Sequence, residues 1–390
     1  MPLRLLVVAA VLLSTSLGAQ FTPTHCQTGT VVTSAGVTVK TLLGCADAFS
    51  DNVLWHLDRL DQLSPDLNGQ AYRGFGGAGA VIYVVDGGVF AAHDEFMSAT
   101  GSRVIAGIDL VPLSGNGCSS PDQALQPCGA KGADLAIGSH GTGTASAAAG
   151  KNVGVAPEAS VVSVRIISLF SFTTFARFDA ALDAIVANAF DPRTPSFLTG
   201  IVSLSFALTE PDTSGVTAEQ LEQKIRRMTA GVNAAGQPDA NGKRFFFSLS
   251  AGNAPGGCAP GTTSTSLPQR IAAGIDGMVL VGGTTAANTA WSNSCLGGEV
   301  WAPAEHVLVA SSTGHDHYRS GVDIYTADSG TSWSAPIVAG IAARMLQRNP
   351  QLTPAAIEAQ LRATPSLLND GNGKVPVFTP VSAKRRSVSH

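Results

Sequence analysis

The fold is decided by the stretch AVIYVVDGG, which spans residues 80–88. Residues 80–85 form a short apolar, β-branched run with no polar break, which predicts a buried strand of a parallel sheet. Asp86 follows directly, at the carboxyl end of that strand, where open α/β sheets bind their ligands. The same aspartate could instead only cap the turn that Gly87 and Gly88 begin, and this block alone leaves both interpretations open.

Strand and helix patterns alternate along the chain after Trp55. Buried strands are predicted at residues 161–166, 201–205, 245–250 and 278–281. Apolar residues at helical spacing predict one helix around residues 175–186, a second around 221–232 and a last one that begins at Thr353-Pro354. A capping box from Thr217 to Gln220 precedes the second helix, and Gly236 follows it. This alternation predicts an α/β fold, a three-layer, doubly wound, mostly parallel sheet with helices on both faces.

Three further sequence blocks contain residues whose side chains could take part in catalysis. His140 opens a run of small residues, 141–150, that predicts a closely packed helix, and Asn253 ends the block Ser250-Ala251-Gly252-Asn253. Ser332 precedes an almost wholly apolar, buried helix in which Pro336 is expected to fall in the first turn. Singly, the histidine could be structural and the serine could be a helix N-cap. Together with the aspartate, however, they give an acid, a base, an amide donor and a nucleophile in the order Asp, His, Asn, Ser.

These blocks resemble the subtilases, and most closely the proteinase K-like branch. The resemblance covers roughly residues 55–362, and it implies the subtilisin-like form of the α/β fold. The motifs that carry it are Val85-Asp86-x-Gly88-Val89, Ser139-His140-Gly141-Thr142, Ala251-Gly252-Asn253 and Gly330-Thr331-Ser332-x-x-x-Pro336.

The chain departs from the family pattern at four places. The family usually has Thr or Ser after the aspartate, a second His three residues after the catalytic one, Met after the serine, and Ser-Leu-Gly-Gly in the substrate-binding strand. The corresponding residues here are Gly87, Gly143, Trp333 and the segment Ser205-Phe206-Ala207-Leu208. None of these changes removes a catalytic group, whereas the last one bears on specificity.

The resemblance implies a role for each site residue. Ser332 is the expected nucleophile, His140 its general base and Asp86 the residue that orients the histidine. The oxyanion is expected between the Asn253 amide and the backbone N–H of Ser332. Residues 203–207 are expected to form an edge to which an extended peptide adds as a strand. The walls of the P1 pocket are expected to be Ser205, Phe206, Ala207, Ser250, Ala251 and Gly252. The implied activity is endoproteolysis of protein or peptide substrates.

Composition agrees with a large secreted enzyme. Hydrophobic residues make up 44% of the 390 residues, charged residues only 13%, and the net charge is −4. The low content of charged residues argues against a disordered or nucleic-acid-binding chain, and the net charge is too small to attract a particular partner electrostatically. We therefore expect a monomer that binds no nucleic acid. The basic cluster at residues 384–386 is interpreted as part of a solvated tail, residues 366–390.

Residues 1–19 have the pattern of a secretory signal, with Arg4, an apolar run and then small residues. No other apolar stretch is long enough to span a membrane, so the chain is predicted to be secreted, extracellular or periplasmic. The catalytic domain is predicted at 51–365. Residues 20–50 are expected to be a short extension, with a weak hairpin pattern at 28–43, or a leader that is trimmed after secretion. This segment is too short to bury an independent core, so it is not expected to act as an inhibitory prodomain.

In a secreted chain the six cysteines are expected to be oxidised. Fifteen pairings are possible. We expect three short loops, closed by Cys26 with Cys45, Cys118 with Cys128, and Cys258 with Cys295. Zinc is the alternative, but the sequence contains no Cys-x-x-Cys pair.

Two other functions stay open. The same triad would also serve an esterase, and the fold could carry a secreted binding protein with little or no catalysis. The chemistry needs no cofactor. Structural calcium is common in the family, but its ligands are not assigned here, and His315-Asp316-His317 is interpreted as a solvated loop rather than a metal site.

Overall fold

The structure is a computed structural model that describes residues 26–32, 38–45, 54–61, 67, 74–111, 125, 135–167, 173–208, 214–238, 242–254, 266–295, 300–312, 315, 318–320 and 329–364. The predicted signal (1–19), the tail (366–390) and three of the cysteines (Cys118, Cys128 and Cys258) lie outside these residues.

The helices are α1 (Trp55–Asp58), α2 (Leu135–Ala149), α3 (Phe175–Asn188), α4 (Ala218–Ala230), α5 (Gln269–Ala272), α6 (Thr331–Arg348) and α7 (Pro354–Arg362). The strands are β1 (Cys26–Val32), β2 (Thr38–Cys45), β3 (Val81–Asp86), β4 (Met97–Ser98), β5 (Gly101–Ser102), β6 (Val104–Asp109), β7 (Ser160–Arg165), β8 (Thr199–Leu204), β9 (Arg244–Ser250), β10 (Met278–Thr284), β11 (Val300–Pro303), β12 (Leu308–Ala310) and β13 (Tyr318–Ser320).

The central sheet has seven strands in the order β11-β10-β9-β8-β3-β7-β6, and every neighbouring pair is parallel. Strand β3 carries no exposed residue, because alternate side chains enter the two cores on either side of the sheet. One core lies beneath α2, α6 and α7, and the other lies beneath α3, α4 and α5. The predicted three-layer, doubly wound fold is therefore confirmed.

The chain crosses over β3 when it passes from β7 to β8, so the strand order reverses beside β3. In doubly wound sheets the crevice at the carboxyl ends of the strands next to this reversal is the usual place for a ligand. Asp86 ends β3, and Leu204 ends β8 directly before Ser205, so two of the predicted site residues lie at this crevice.

Several predicted details agree with the structure. The capping box between Thr217 and Gln220 is present, and Thr353 caps α7 with Pro354 as its first residue. The weak hairpin pattern at residues 28–43 corresponds to the antiparallel pair β1 and β2.

Other predicted boundaries were wrong. Helix α4 ends at Ala230, because Gly231 adopts the left-handed conformation (φ 70°), so Val232 lies outside the helix and Gly236 is not its end. Helix α2 begins at Leu135, so His140 lies inside it instead of opening it. Pro336 is the sixth residue of α6 and not a first-turn residue.

Two more expectations concern surfaces. Among the described residues, no helix is both long and apolar enough to cross a membrane. The predicted peptide-binding edge at residues 203–207 is wrong for its first two residues, because Ser203 and Leu204 pair with β3 on one side and β9 on the other. Only Ser205, Phe206 and Ala207 continue beyond the sheet.

Candidate active site

Strand β3 and helix α2 bring Asp86 and His140 together. The His140 Nδ1 atom lies 2.9 Å from both Oδ1 and Oδ2 of Asp86. The carboxylate is almost fully buried, while the histidine side chain is 15% exposed at the crevice. A carboxylate at Nδ1 requires a proton on that nitrogen, which leaves Nε2 as the basic atom of the neutral ring.

The Asp86 carboxylate is held by further donors. Oδ1 accepts a hydrogen bond from the Gly87 N–H at 2.7 Å, and Oδ2 lies 3.3 Å from the Thr144 hydroxyl, whose one hydrogen is shared with the Gly141 carbonyl at 3.0 Å. Thr144 lies one helical turn after His140, so α2 supplies both the imidazole and a second contact to the same carboxylate. These donors fix the carboxylate orientation, and with it the plane of the imidazole.

Gly141 allows α2 to approach β3 this closely. A Cβ atom at this position would overlap the Gly88 carbonyl oxygen and would lie 3.1 Å from Asp86 Oδ1. Any side chain here would therefore push the helix that carries His140 away from the aspartate.

Ser332 is the second residue of α6. The N-cap is Gly330, in an extended conformation, so the interpretation of Ser332 as the helix cap is wrong. The neighbouring Trp333 places its ring centroid 5.4 Å from that of the His140 ring. Helix α6 therefore brings the serine segment to the Asp86–His140 pair.

The first N–H groups of α6 have distinct partners. The Thr331 N–H donates to Asn253 Oδ1 at 3.0 Å, and the Trp333 N–H donates to the Gly330 carbonyl at 3.0 Å. Among the described hydrogen bonds, the Ser332 N–H has no acceptor. Free N–H groups at a helix N-terminus favour negative charge, so this one suits a developing oxyanion.

The Asn253 amide is oriented by the residue before the serine. Its Oδ1 accepts from both the backbone N–H and the hydroxyl of Thr331, the latter at 2.8 Å. A backbone N–H can only donate, so the carbonyl end of the amide must face Thr331 and the NH₂ end must point away. Asn253 thus keeps both of its donor hydrogens free of Thr331.

The loop that carries Asn253 is fastened on its other side. The Cys295 N–H donates to the Gly252 carbonyl at 2.9 Å, and the Ala254 N–H donates to the Asn293 carbonyl at 2.8 Å. Gly252 has a φ of 98°, a conformation that residues with a Cβ rarely adopt. Cys295 is disulfide-bonded, which adds a covalent restraint close to this loop.

Ser205 directs its hydroxyl at the backbone of the serine segment. Pro336 has no N–H, so the carbonyl four residues before it, that of Ser332, lacks its helical partner. The Ser205 hydroxyl donates to that carbonyl at 2.9 Å. Ser205 was predicted as a wall of the P1 pocket, and its hydroxyl also stabilises the first turn of α6.

Gln269 ties together the two predicted walls of the P1 pocket. Its side-chain NH₂ donates to the Phe206 carbonyl at 2.8 Å and to the Ser250 carbonyl at 3.2 Å. Phe206 is partly buried and packs edge-on against Phe178, whereas Ala207 is exposed. Of the other predicted walls, Ala251 is buried and Gly252 half-buried. The pocket assignment itself stays a prediction.

Sequence reasoning did not assign roles to Thr331, Thr144 or Gln269. Thr144 could have been found from its position four residues after His140 on the same helix face. The other two act through contacts between distant segments, which no local pattern reveals.

The described part of the chain contains no cluster of three or more His, Cys, Asp or Glu that could hold a metal ion. His315 bonds the Ala92 carbonyl through Nδ1 at 2.8 Å, whereas Asp316 and His317 lie outside the described residues.

Comparison of the sequence with known protein families agrees with this site geometry. A model described as the Subtilase family matches residues 77–376. This chain belongs to the subtilase family. Among its relatives, the alkaline serine exoprotease A of Vibrio alginolyticus is 30% identical over 85% of this chain and 50% of the relative. The extracellular serine proteinase of Thermus sp. (strain Rt41A) is 28% identical over 86% of this chain and 68% of the relative.

A solved subtilase has the same fold. The crystal structure of a cold adapted subtilisin-like serine proteinase superposes with a TM-score of 0.61 and 25% identity, and the match covers 85% of this chain and all of that one. The chain spans only half to two thirds of the length of the curated relatives above.

Proposed function

We propose that this subtilase is a secreted serine endopeptidase that hydrolyses peptide bonds in proteins. The observation that carries the proposal is the Asp86–His140 pair, set beside a helix N-terminus where the Ser332 N–H and the Asn253 amide are both available as donors. The names of the relatives, an exoprotease and an extracellular proteinase, favour proteolysis and secretion.

The proposed reaction begins with attack of the Ser332 hydroxyl on the scissile carbonyl carbon. His140 Nε2 takes the hydroxyl proton, and Asp86 stabilises the imidazolium that results. The negative charge on the tetrahedral intermediate is stabilised by the Asn253 NH₂ and the Ser332 N–H. His140 then protonates the leaving amine, and an acyl-enzyme remains on Ser332. A water molecule, deprotonated by His140, hydrolyses that ester and restores the enzyme.

The substrate is proposed to bind in extended form along Ser205, Phe206 and Ala207, opposite Ser250, Ala251 and Gly252. Gln269 would keep the two segments at a fixed separation. The chemistry uses these side chains and water, and structural calcium stays a proposal without assigned ligands.

The test compares wild type with Ser332→Ala and with Ser160→Ala. Ser160 begins β7, at the amino end of the sheet, so it provides the same chemical change at the end opposite Asp86. We expect wild type and Ser160→Ala to cleave casein and to be labelled by a fluorophosphonate, with the label mapping to Ser332. Ser332→Ala should lose both properties and keep its circular dichroism.

Each alternative has its own outcome. An esterase would turn over activated esters at a high rate and leave peptides intact. A binding protein on an inactive scaffold would bind peptides without being labelled. Label on a residue other than Ser332 would contradict the proposed nucleophile.

A further inference from the structure

Trp333 is the residue after the proposed nucleophile, and it is fully buried against His140. The two ring centroids lie 5.4 Å apart, with the planes inclined at 39°. Asp86 holds the Nδ1 edge of the same imidazole. The histidine ring is therefore confined by a hydrogen bond at one edge and by an aromatic surface beside it.

The indole rests on Gly143, one helical turn after His140. A Cβ atom at position 143 would lie 2.9 Å from Trp333 Cζ3, 3.1 Å from its Cη2 and 3.1 Å from Val309 Cγ2. Such separations are shorter than Cβ atoms normally tolerate. The space that a side chain at position 143 would need is thus filled by the tryptophan, and the two residues are matched in size.

Among the described residues, the indole N–H of Trp333 does not contribute a hydrogen bond to the site. Trp333 Nε1 is buried and has no hydrogen-bond partner within the described part of the chain. A buried, unsatisfied N–H costs stability that a phenylalanine or methionine at this position would not lose. The indole therefore contributes through the surface of its ring and not through its N–H.

We propose that Trp333 is a positioning residue for His140. Its indole, seated on Gly143, keeps the imidazole in the orientation from which Nε2 receives the Ser332 proton, and it stabilises the imidazolium that follows. This inference rests on the proposed function. Aromatic rings attract cations at this range, and small misplacements of a catalytic base reduce the rate strongly. Asp86 is the charged group that faces the ring from β3, and it is unchanged by substitution of the tryptophan.

The test uses Trp333→Leu, which retains a buried apolar side chain and removes the aromatic ring. Active sites are first counted by fluorophosphonate titration, so that rates refer to folded enzyme only. We expect kcat per active site to fall by roughly 5- to 30-fold with KM within about twofold, the range of a partly desolvated cation–π contact. The acidic limb of the kcat/KM profile should move to lower pH by roughly 0.5 to 1 unit, because the imidazolium has lost a stabilising contact.

Gly143→Ala tests the packing of the Trp333 indole against Gly143. The added methyl group should displace the ring and lower kcat in the same direction. In the Trp333→Leu background the same substitution should cost less, because the smaller side chain leaves room for it. Trp333→Phe should restore part of both kcat and the pH profile. This variant and Gly143→Ala keep the proposal testable if Trp333→Leu does not fold.

The control is Trp55→Leu, which removes another buried tryptophan, whose N–H bonds the His306 carbonyl. It should lower Tm without moving the acidic limb. The proposal is overturned if Trp333→Leu lowers only Tm and leaves kcat per active site and the pH profile as in wild type. A wild-type protein that is neither labelled nor proteolytic contradicts the proposed function instead.

Discussion

Substitution of Ser205 by alanine should destabilise the first turn of α6, which carries Ser332. The Ser332 carbonyl lacks a helical donor because of Pro336, and the Ser205 hydroxyl is the donor that it has. Ser332 is only 5% exposed, so the carbonyl cannot turn to water without local movement. A buried carbonyl left without a partner costs about 1–3 kcal/mol. With an unfolding entropy of about 2.1 cal/mol/K per residue, that corresponds for a domain of this size to a Tm lower by roughly 1.5–5 °C.

The same change should reduce catalysis. A carbonyl that moves to find a partner shifts the first turn of α6 and with it the Ser332 hydroxyl. Because displacements of about 1 Å can cost roughly 10²-fold, we expect kcat to fall about 10-fold or more with KM little changed. A rise confined to KM would mean that the Ser205 hydroxyl contacts the substrate instead.

Ser248→Ala is a matched control. The Ser248 hydroxyl also donates to a carbonyl of α6, that of Ala335, at 2.8 Å. That carbonyl keeps a helical donor, because Ala339 has an N–H. Its loss should therefore cost about 1 kcal/mol or less and leave kcat near wild type.

Pro336→Ala supplies the missing N–H. In this background Ser332 gains its helical partner, so Ser205→Ala should cost clearly less in Tm, measured by scanning calorimetry, and in kcat. An equal cost of Ser205→Ala in both backgrounds would refute the argument that the proline creates the need for the serine.

Three further predictions follow from the site. Asn253→Ala should lower kcat by about 10²–10³-fold with little change in KM, the loss measured for the corresponding donor in a subtilisin, and Thr331→Val should lower it less, because only one of two donors to Oδ1 is lost. Activity should rise from about pH 5 to 8 as His140 becomes neutral, and a pH–rate profile that peaks near pH 4 would show that a carboxylate is the base. Non-reducing peptide mapping should find Cys26 linked to Cys45, since the β1–β2 register sets them opposite one another, and Cys258 linked to Cys295; free thiols would contradict this scheme.

Five of the seven strands of the central sheet were predictable because most of their residues are apolar, whereas β6 and β11 were not predicted. Residues 80–85 and 245–250 contain few polar positions, as expected for strands covered on both faces, and the structure moves their bounds by only one residue. The boundaries of the helices were predicted less accurately. The glycine that ends α4 was passed over in favour of Gly236, and the residues before His140 carry no start signal for α2.

The contact between Asp86 and His140 was predictable from motifs, whereas the residues that support it were not. Asp86 and His140 meet as expected. Gly143 and Trp333, however, looked like two separate departures from the family pattern, and only the packing shows that one accommodates the other. The place of Pro336 in α6 was misjudged by a few residues, which hid the role of Ser205. Contacts between distant segments decide both cases, since Trp333 packs on Gly143 and Ser205 bonds the Ser332 carbonyl.

The burial of α6 has a consequence for how the protein loses activity. Residues from Thr331 to Leu346 are all buried, and the helix lies against β8, β9, β10 and β11 and packs beside α2. The hydrogen-bonded backbone amides in the interior of such a helix are expected to exchange with deuterium only when the domain opens on a large scale. The proposed nucleophile, at the start of this helix, is therefore anchored to a part of the molecule that should exchange slowly. On heating, the loss of activity should coincide with the calorimetric transition, without an earlier stage in which the site melts while the sheet survives.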